Sequence, residues 1–156
     1  GGLIVWSFVL LYADNVAKQN RTEATTTWRD ALTIGVVQCF ALIPGVSRSG
    51  ATISAGLLSG FDRVTATRLS FFLGIPALAA AGILQSFKEF DNINSGGVGW
   101  GPTILATIVS FIVGYMAIAW LIKFVSNNSF TGFVYYRIVL GVVILVLLAS
   151  GVITAV

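Results

Sequence analysis

Apolar residues run in long blocks along this chain, and polar residues gather in the short stretches between them. Three blocks, Thr65–Phe87, Trp100–Phe124 and Phe133–Val156, each exceed the roughly 20 residues that a helix needs to cross a bilayer. Gly1–Ala13 is a shorter apolar run and reads as the tail of a fourth transmembrane helix. Asp14–Thr27 is polar, with Asp14, Lys18, Arg21 and Glu23, and reads as an extramembrane loop. Lys88–Gly99 is a polar, Gly-rich connector, and Ser126–Gly132 is a short turn with Asn127 and Asn128 as its turn residues.

The block Asp30–Gly60 has a different pattern. It is apolar but broken by Pro44-Gly45-Val46-Ser47-Arg48-Ser49-Gly50. As helices at ~1.5 Å per residue, the arms Asp30–Ile43 and Ser49–Gly60 reach about 21 Å and about 18 Å. Neither covers a hydrocarbon core of ~30 Å. Pro44 cannot continue the first arm, and Gly45 and Gly50 permit an unusual backbone. The expectation is a re-entrant helix–loop–helix hairpin, about residues 30–60, that dips into the membrane and returns to the same side. Non-helical backbone at that depth is buried in protein or lines a wet cavity, so the loop is the place to look for function.

Composition agrees with the hydropathy. The chain is 56% hydrophobic and 10% charged, against about 25% charged for a soluble domain. Its net charge is +3, but the basic residues are scattered between apolar runs, which excludes a nucleic-acid surface. With the hairpin returning to its side of entry, Lys18, Arg21, Arg29, Arg63, Arg68, Lys123 and Arg137 fall on one face and Lys88 on the other, with Arg48 at the hairpin tip. That bias makes the first face cytoplasmic and predicts an external C-terminus. Trp28, Trp100, Tyr135 and Tyr136 lie near segment ends, where interfacial aromatics sit. The lone Cys39 reads as a small hydrophobe. Histidine is absent, which excludes a phospho-histidine mechanism and a His-ligated metal within this stretch. The chain opens as Gly1-Gly2 without Met, directly into an apolar run. The expectation is that it begins inside a transmembrane helix of a longer protein, with residues 1–156 forming one membrane domain.

Arg48 carries the candidate chemistry. An arginine at membrane depth costs at least ~2.5–3.5 kcal/mol and is a functional hypothesis by default. No acid lies within thirteen residues of it on either side. Ser47 and Ser49 add hydroxyls, Gly45 and Gly50 allow backbone amides to approach, and the helix opening at Gly50 presents its positive end. A guanidinium, two hydroxyls and a helix N-terminus suit phosphate or diphosphate. Plainer roles compete at several positions. Ser47 or Ser49 alone also reads as an N-cap, and Arg48 as a snorkelling residue. Gly56 and Gly60 in the stripe Ser49, Thr52, Gly56, Ser59, Gly60 read as close helix packing, whereas Thr52 fits packing or the site. Gln38 fits a packing hydrogen bond or site lining, and Pro76 reads as a helix kink.

Pro44-Gly45-Val46-Ser47-Arg48-Ser49-Gly50-Ala51-Thr52-Ile53 resembles the signature of the undecaprenyl-diphosphate phosphatases, the bacitracin-resistance family. Arg68-Leu69-Ser70-Phe71-Phe72-Leu73-Gly74-Ile75-Pro76 and Tyr136-Arg137-Ile138-Val139-Leu140-Gly141 resemble two further stretches of it, in order, and the resemblance spans essentially the whole chain. It implies an all-α polytopic membrane protein, one repeat of an inverted-repeat fold: a re-entrant hairpin, three full transmembrane helices and the end of a fourth. It further implies a multi-pass protein of the bacterial cytoplasmic (inner) membrane that hydrolyses undecaprenyl diphosphate to undecaprenyl phosphate and phosphate on the external face. Arg48 would then be catalytic, with Ser47, Ser49, Gly45, Gly50 and Thr52 binding the diphosphate and Gln38 lining the site. Neither serine has a base beside it in the sequence, so neither is assigned as nucleophile. The family's glutamate motif, Ser/Thr-rich loop and histidine belong to the other repeat, which is the implied partner. The resemblance also leaves room for a divalent cation, Mg or Ca, in the full-length enzyme, and for a homodimer. No metal and no cofactor is expected on these residues. The 156 residues alone are expected to release no phosphate, because Arg48 lacks its acidic counterpart; measurable release would overturn this. Half of a transporter for a lipid phosphate or other anion is the rival reading, and a structural membrane subunit a third.

Overall fold

The computed structural model describes residues 1–90, 94 and 99–152. Among the described residues, six long helices follow in order: α1 Gly2–Val16, α2 Trp28–Gln38, α3 Arg48–Leu58, α4 Arg63–Lys88, α5 Trp100–Val125 and α6 Thr131–Ala149. Short 3-10 turns occupy Glu23–Thr25 and Cys39–Leu42. No strand occurs among the described residues; one isolated bridge joins Arg21 to Phe61. By length and composition α4, α5 and α6 can each cross a membrane, and they coincide with the three long apolar blocks. Most of the Lys88–Gly99 connector and the end of the Phe133–Val156 block lie outside the described residues.

The two arms of the expected hairpin are α2 and α3. Thr27 starts α2 with a capping box: its hydroxyl oxygen accepts from the Asp30 amide, and the Asp30 carboxylate accepts from the Thr27 amide at 2.8 Å. α2 ends at Gln38, and the chain tightens into the Cys39–Leu42 turn ahead of Pro44. Gly45 then takes φ +89°, which its lack of a Cβ permits, and lies against the start of α1 at Gly2 and Leu3.

α3 is the centre of the molecule. Every residue from Gly50 to Leu57 is buried, because α1, α2 and α4 all pack on this one helix. Small side chains make that possible. A Cβ at Gly56 would stand 2.9 Å from the Ala66 Cβ, so α3 and α4 touch almost backbone to backbone there. Thr52 and Ser70 join the same two helices through a 2.6 Å hydroxyl contact. Gly60 departs from its expected packing role: it has φ +88° and turns the chain out of α3 beside Asn20 and Arg21.

Arg21 holds the two outer ends of the hairpin together. Its guanidinium donates to both Asp30 oxygens, at 2.8 and 2.7 Å, at the start of α2, and to the Ser59 carbonyl at 3.0 Å, at the end of α3. Its backbone exchanges hydrogen bonds with Gly60 and Asp62. The hydrogen-bonded Arg21 guanidinium holds the Asp30 carboxyl well below the usual carboxylate range. α2 therefore departs from, and α3 returns to, the same end of the molecule.

A second ionic contact lies at that end. Asp14, expected in a loop, belongs to the last turn of α1 and is buried. Its carboxylate accepts from Arg63 Nε at 2.6 Å and from the Phe130 amide at 3.1 Å, so one side chain ties α1 to the starts of α4 and α6. An apolar cluster that includes Leu10, Leu57, Phe61, Phe130 and Val134 surrounds it. α5 packs along α4 and, at its C-terminal end, against α6, and among its residues only Val125 is buried.

Asp14→Ala leaves the Phe130 amide without its acceptor and Arg63 without its carboxylate. The expected cost is about 1.5–3 kcal/mol, as for hydrogen bonds to a charged group. Glu23→Ala, which breaks the exposed 3.0 Å pair with Arg68, should cost under about 1 kcal/mol. Thermal melts in detergent compare them directly, and equal melting temperatures would overturn the assignment.

Candidate phosphate-binding site at the α2–α3 loop

The loop 43–47 delivers the chain into the N-terminus of α3, and Ser47 is the cap. Its hydroxyl oxygen accepts from the Gly50 amide at 3.2 Å and lies 3.3 Å from the Ser49 hydroxyl. The Gly50 amide is thereby occupied inside the protein. The amides of Arg48 and Ser49 are the first-turn donors left without a partner among the described residues. Ser47 and Ser49 thus sit together at the positive end of α3, and among the described residues no carboxylate or other base touches either hydroxyl.

Arg48 is the first residue of α3. Its guanidinium crosses to α4 and lies against Gly74, so closely that a Cβ there would overlap it. Arg48 Nη1 is shut off from solvent and has no hydrogen-bond partner. Gln38, at the end of α2, likewise has a buried, unpartnered Oε1. Gly45 makes the turn and packs on α1. Thr52 is fully buried, donating to the Arg48 carbonyl at 2.9 Å and meeting Ser70. The structure therefore brings Ser47, Arg48, Ser49 and Gly50 together at the mouth and puts Thr52 beneath them, in the α3–α4 interface.

Two residues escape sequence reasoning. On α4 the sequence draws the eye to Pro76, yet the helix runs through it unbroken, and it is Gly74 that meets the arginine. Charge counting puts Arg137 on the cytoplasmic face. It instead projects from α6 onto the first turn of α3, where a Cβ on Gly50 would stand 2.8 Å from its Nη1. Arg137 Nε and Nη2 are inaccessible and unpartnered. With Ser49 and Gly50 this arginine lines a cavity of about 180 Å³, whose other walls include Ile53, Phe130 and Phe133. Both residues lie in the family-like stretches, but hydropathy says nothing of which way a helical residue faces.

The acids of the described residues are engaged elsewhere. Asp14 pairs with Arg63, Glu23 with Arg68 and Asp30 with Arg21. Asp62 caps α4, accepting from the Thr65 amide and hydroxyl, and Glu89 accepts from Gln85. The loop is therefore a cationic site with guanidinium, hydroxyl and amide donors. Such a set fits an anion; it does not fit Mg or Ca, which take carboxylate and carbonyl oxygens. Among the described residues no group of three His, Cys, Asp or Glu side chains is placed to hold a metal.

Comparison with known proteins places the chain in a family. Residues 1–143 match the model of the bacitracin resistance protein BacA. The chain is 58% identical over 155 residues to undecaprenyl-diphosphatase 3 of Frankia casuarinae, covering 99% of this chain and 55% of that protein. It is 56% identical over 159 residues to the undecaprenyl-diphosphatase of Cutibacterium acnes, covering 98% and 56%. With the corresponding protein of a Nocardioides species it shares 52% identity over 155 residues, covering 98% and 55%. The chain spans about half the length of the curated relatives it matches. With a family match over most of its length and a fold of apolar helices around a cationic loop, this chain belongs to the bacitracin resistance protein BacA family.

Proposed function

We propose that this chain forms the phosphate-binding part of a membrane enzyme that hydrolyses undecaprenyl diphosphate to undecaprenyl phosphate and phosphate, recycling the lipid carrier of cell-wall synthesis. The observation that carries the reading is Arg48: a guanidinium held at the N-terminus of a buried helix, with a buried nitrogen that has no partner and no carboxylate on it among the described residues. The names of the relatives point the same way. In this reading α2 and α3 are a re-entrant hairpin, about residues 30–60, within one repeat of an inverted-repeat fold. Arg21 closing the hairpin's outer ends supports that geometry. The protein then lies in the cytoplasmic membrane with the site open to the external side, and the other repeat supplies the acids.

The reaction splits the bond between the terminal phosphorus and the bridging oxygen. Water adds to the phosphorus, the bridging oxygen leaves with undecaprenyl phosphate, and the water's protons go to bases outside these residues. Negative charge spreads over the terminal oxygens as the bond breaks. Arg48 and the amides of Arg48 and Ser49 sit where they would hold those oxygens, and such fixed donors are usually the largest catalytic term. The Ser47 and Ser49 hydroxyls orient the same group. Thr52 acts from beneath, keeping α3 against α4. Transport of an anion past the same loop is the second reading, and unpaired cations at a broken helix are common to both.

In the full-length parent, Arg48→Ala is expected to lower phosphate release from a long-chain prenyl diphosphate by roughly 10²–10³-fold while the protein still folds, the usual loss of one transition-state donor. A folded variant as active as the wild type overturns the reading, and a wild type that releases no phosphate moves transport to the front. Gly74→Ala is expected to cost activity as well, on the order of 10²-fold, because the new methyl displaces the Arg48 guanidinium. Gly82→Ala, on the same helix with nothing nearby, is the control and should match the wild type. Equal activity in both glycine variants would show that the Arg48 guanidinium does not act from its position against α4.

A further inference from the structure

Two arginines meet at the first turn of α3, one from α3 itself and one from α6. Arg48 lies on the α4 side, at Gly74, and Arg137 arrives from α6, at Gly50. A guanidinium carries five donors and stays charged. Arg137 keeps Nε and Nη2 enclosed and unbonded, in a helix whose neighbouring residues Val134, Ile138 and Gly141 are apolar or small. Charge buried in this way is costly without a counter-charge. Among the described residues the acids are engaged with other groups, and none bonds Arg137. The cavity beside it takes its polar lining from Ser49, Gly50 and Arg137, at the end of α3 where Arg48 begins.

A single guanidinium fork can hold one phosphoryl group. Two forks on either side of a helix N-terminus match an anion with two phosphoryl groups. We propose that Arg137 is a second phosphate-binding residue of this site, holding one phosphoryl group of a diphosphate while Arg48 holds the other. The choice of a diphosphate rests on the hydrolase reading; the presence of an anion on Arg137 does not. The geometry at Gly50 adds a requirement: a side chain there would strike Arg137 Nη1, so the glycine keeps the guanidinium close to the amides of the turn.

The test uses the full-length parent in detergent, as wild type, Arg137→Met and Arg137→Lys. Calorimetry measures binding of inorganic diphosphate and of inorganic phosphate, and melts check that each variant is folded. Arg137→Met is expected to weaken inorganic diphosphate by roughly ten- to a hundredfold, the size of a lost charge-assisted contact. Inorganic phosphate, held at Arg48, should change little, so the ratio of the two affinities falls. The KM for a prenyl diphosphate should rise with it. Where the Met variant is unstable, Arg137→Lys gives the same reading, because a point charge without the fork lowers the ratio less but in the same direction. An unchanged ratio in a folded variant overturns the proposal and assigns Arg137 to a carboxylate elsewhere in the longer protein. If the wild type binds inorganic diphosphate with the expected dependence on Arg137 yet releases no phosphate from a prenyl diphosphate, the hydrolase reading falls and the anion site stands.

Discussion

An eleven-residue helix enclosed by neighbours sets the terms for the rest of this molecule. α3 has no free face from Gly50 to Leu57, so its side chains must be small and its polar groups must find partners within the protein. The sequence meets both conditions. Gly56 lets Ala66 approach, and Thr52, Ser54 and Ser59 turn their hydroxyls back onto carbonyls one turn earlier. At the C-terminal end, Gly60 turns the chain, and the Arg21 backbone bonds to Gly60 and Asp62 on either side of Phe61. Only the N-terminal end is left with free amides, and it is there that two guanidiniums gather.

The distribution of charge follows the same division. At one end, arginines and acids meet in pairs: Arg21 with Asp30, Arg63 with Asp14, Arg68 with Glu23. At the loop, Arg48 and Arg137 have no such partners among the described residues. The free amides at the positive end of α3 add to the cost of enclosing a cation there, and the Ser47 oxygen already accepts from Gly50. Among the described residues no carboxylate meets either guanidinium, so a bound anion is the counter-charge that the proposed site would take.

Much of the architecture could be read from hydropathy, because a bilayer-length apolar run has few alternatives to a helix. The loop was also legible: Pro44 stops an arm, and Gly45 and Gly50 bracket an arginine with no acid near it in sequence. What could not be read was sideways placement. Arg137 lies 87 positions beyond Gly50 in the chain, and only the rotation of α6 about its axis decides whether it faces the loop or the surface. Counting charges by segment sends it to the surface. Gly74 is hidden for the same reason, since a glycine in an apolar helix signals close approach without saying to what. Asp14 looks like a loop acid because the apolar run ends before it, whereas the helix continues to Val16 and carries it into the core. Thr52 fits two roles in the sequence, and its contact with Ser70 sets it in the helix interface.

On the proposed reading, the two-cation arrangement bears on how a site that binds strongly could still turn over. A diphosphate spanning Arg48 and Arg137 would be held as one bivalent ligand, each contact raising the effective concentration of the other. Breaking the bridging bond ends that linkage. The two products then dissociate independently, each held by one guanidinium instead of two. A carrier that moves its anion intact has no such step and must bind weakly enough to release the same charge it captured. On the hydrolase reading, two guanidiniums without a partner among the described residues suit a ligand that is cut in place, and the enclosure of α3 would keep them fixed as its bond breaks.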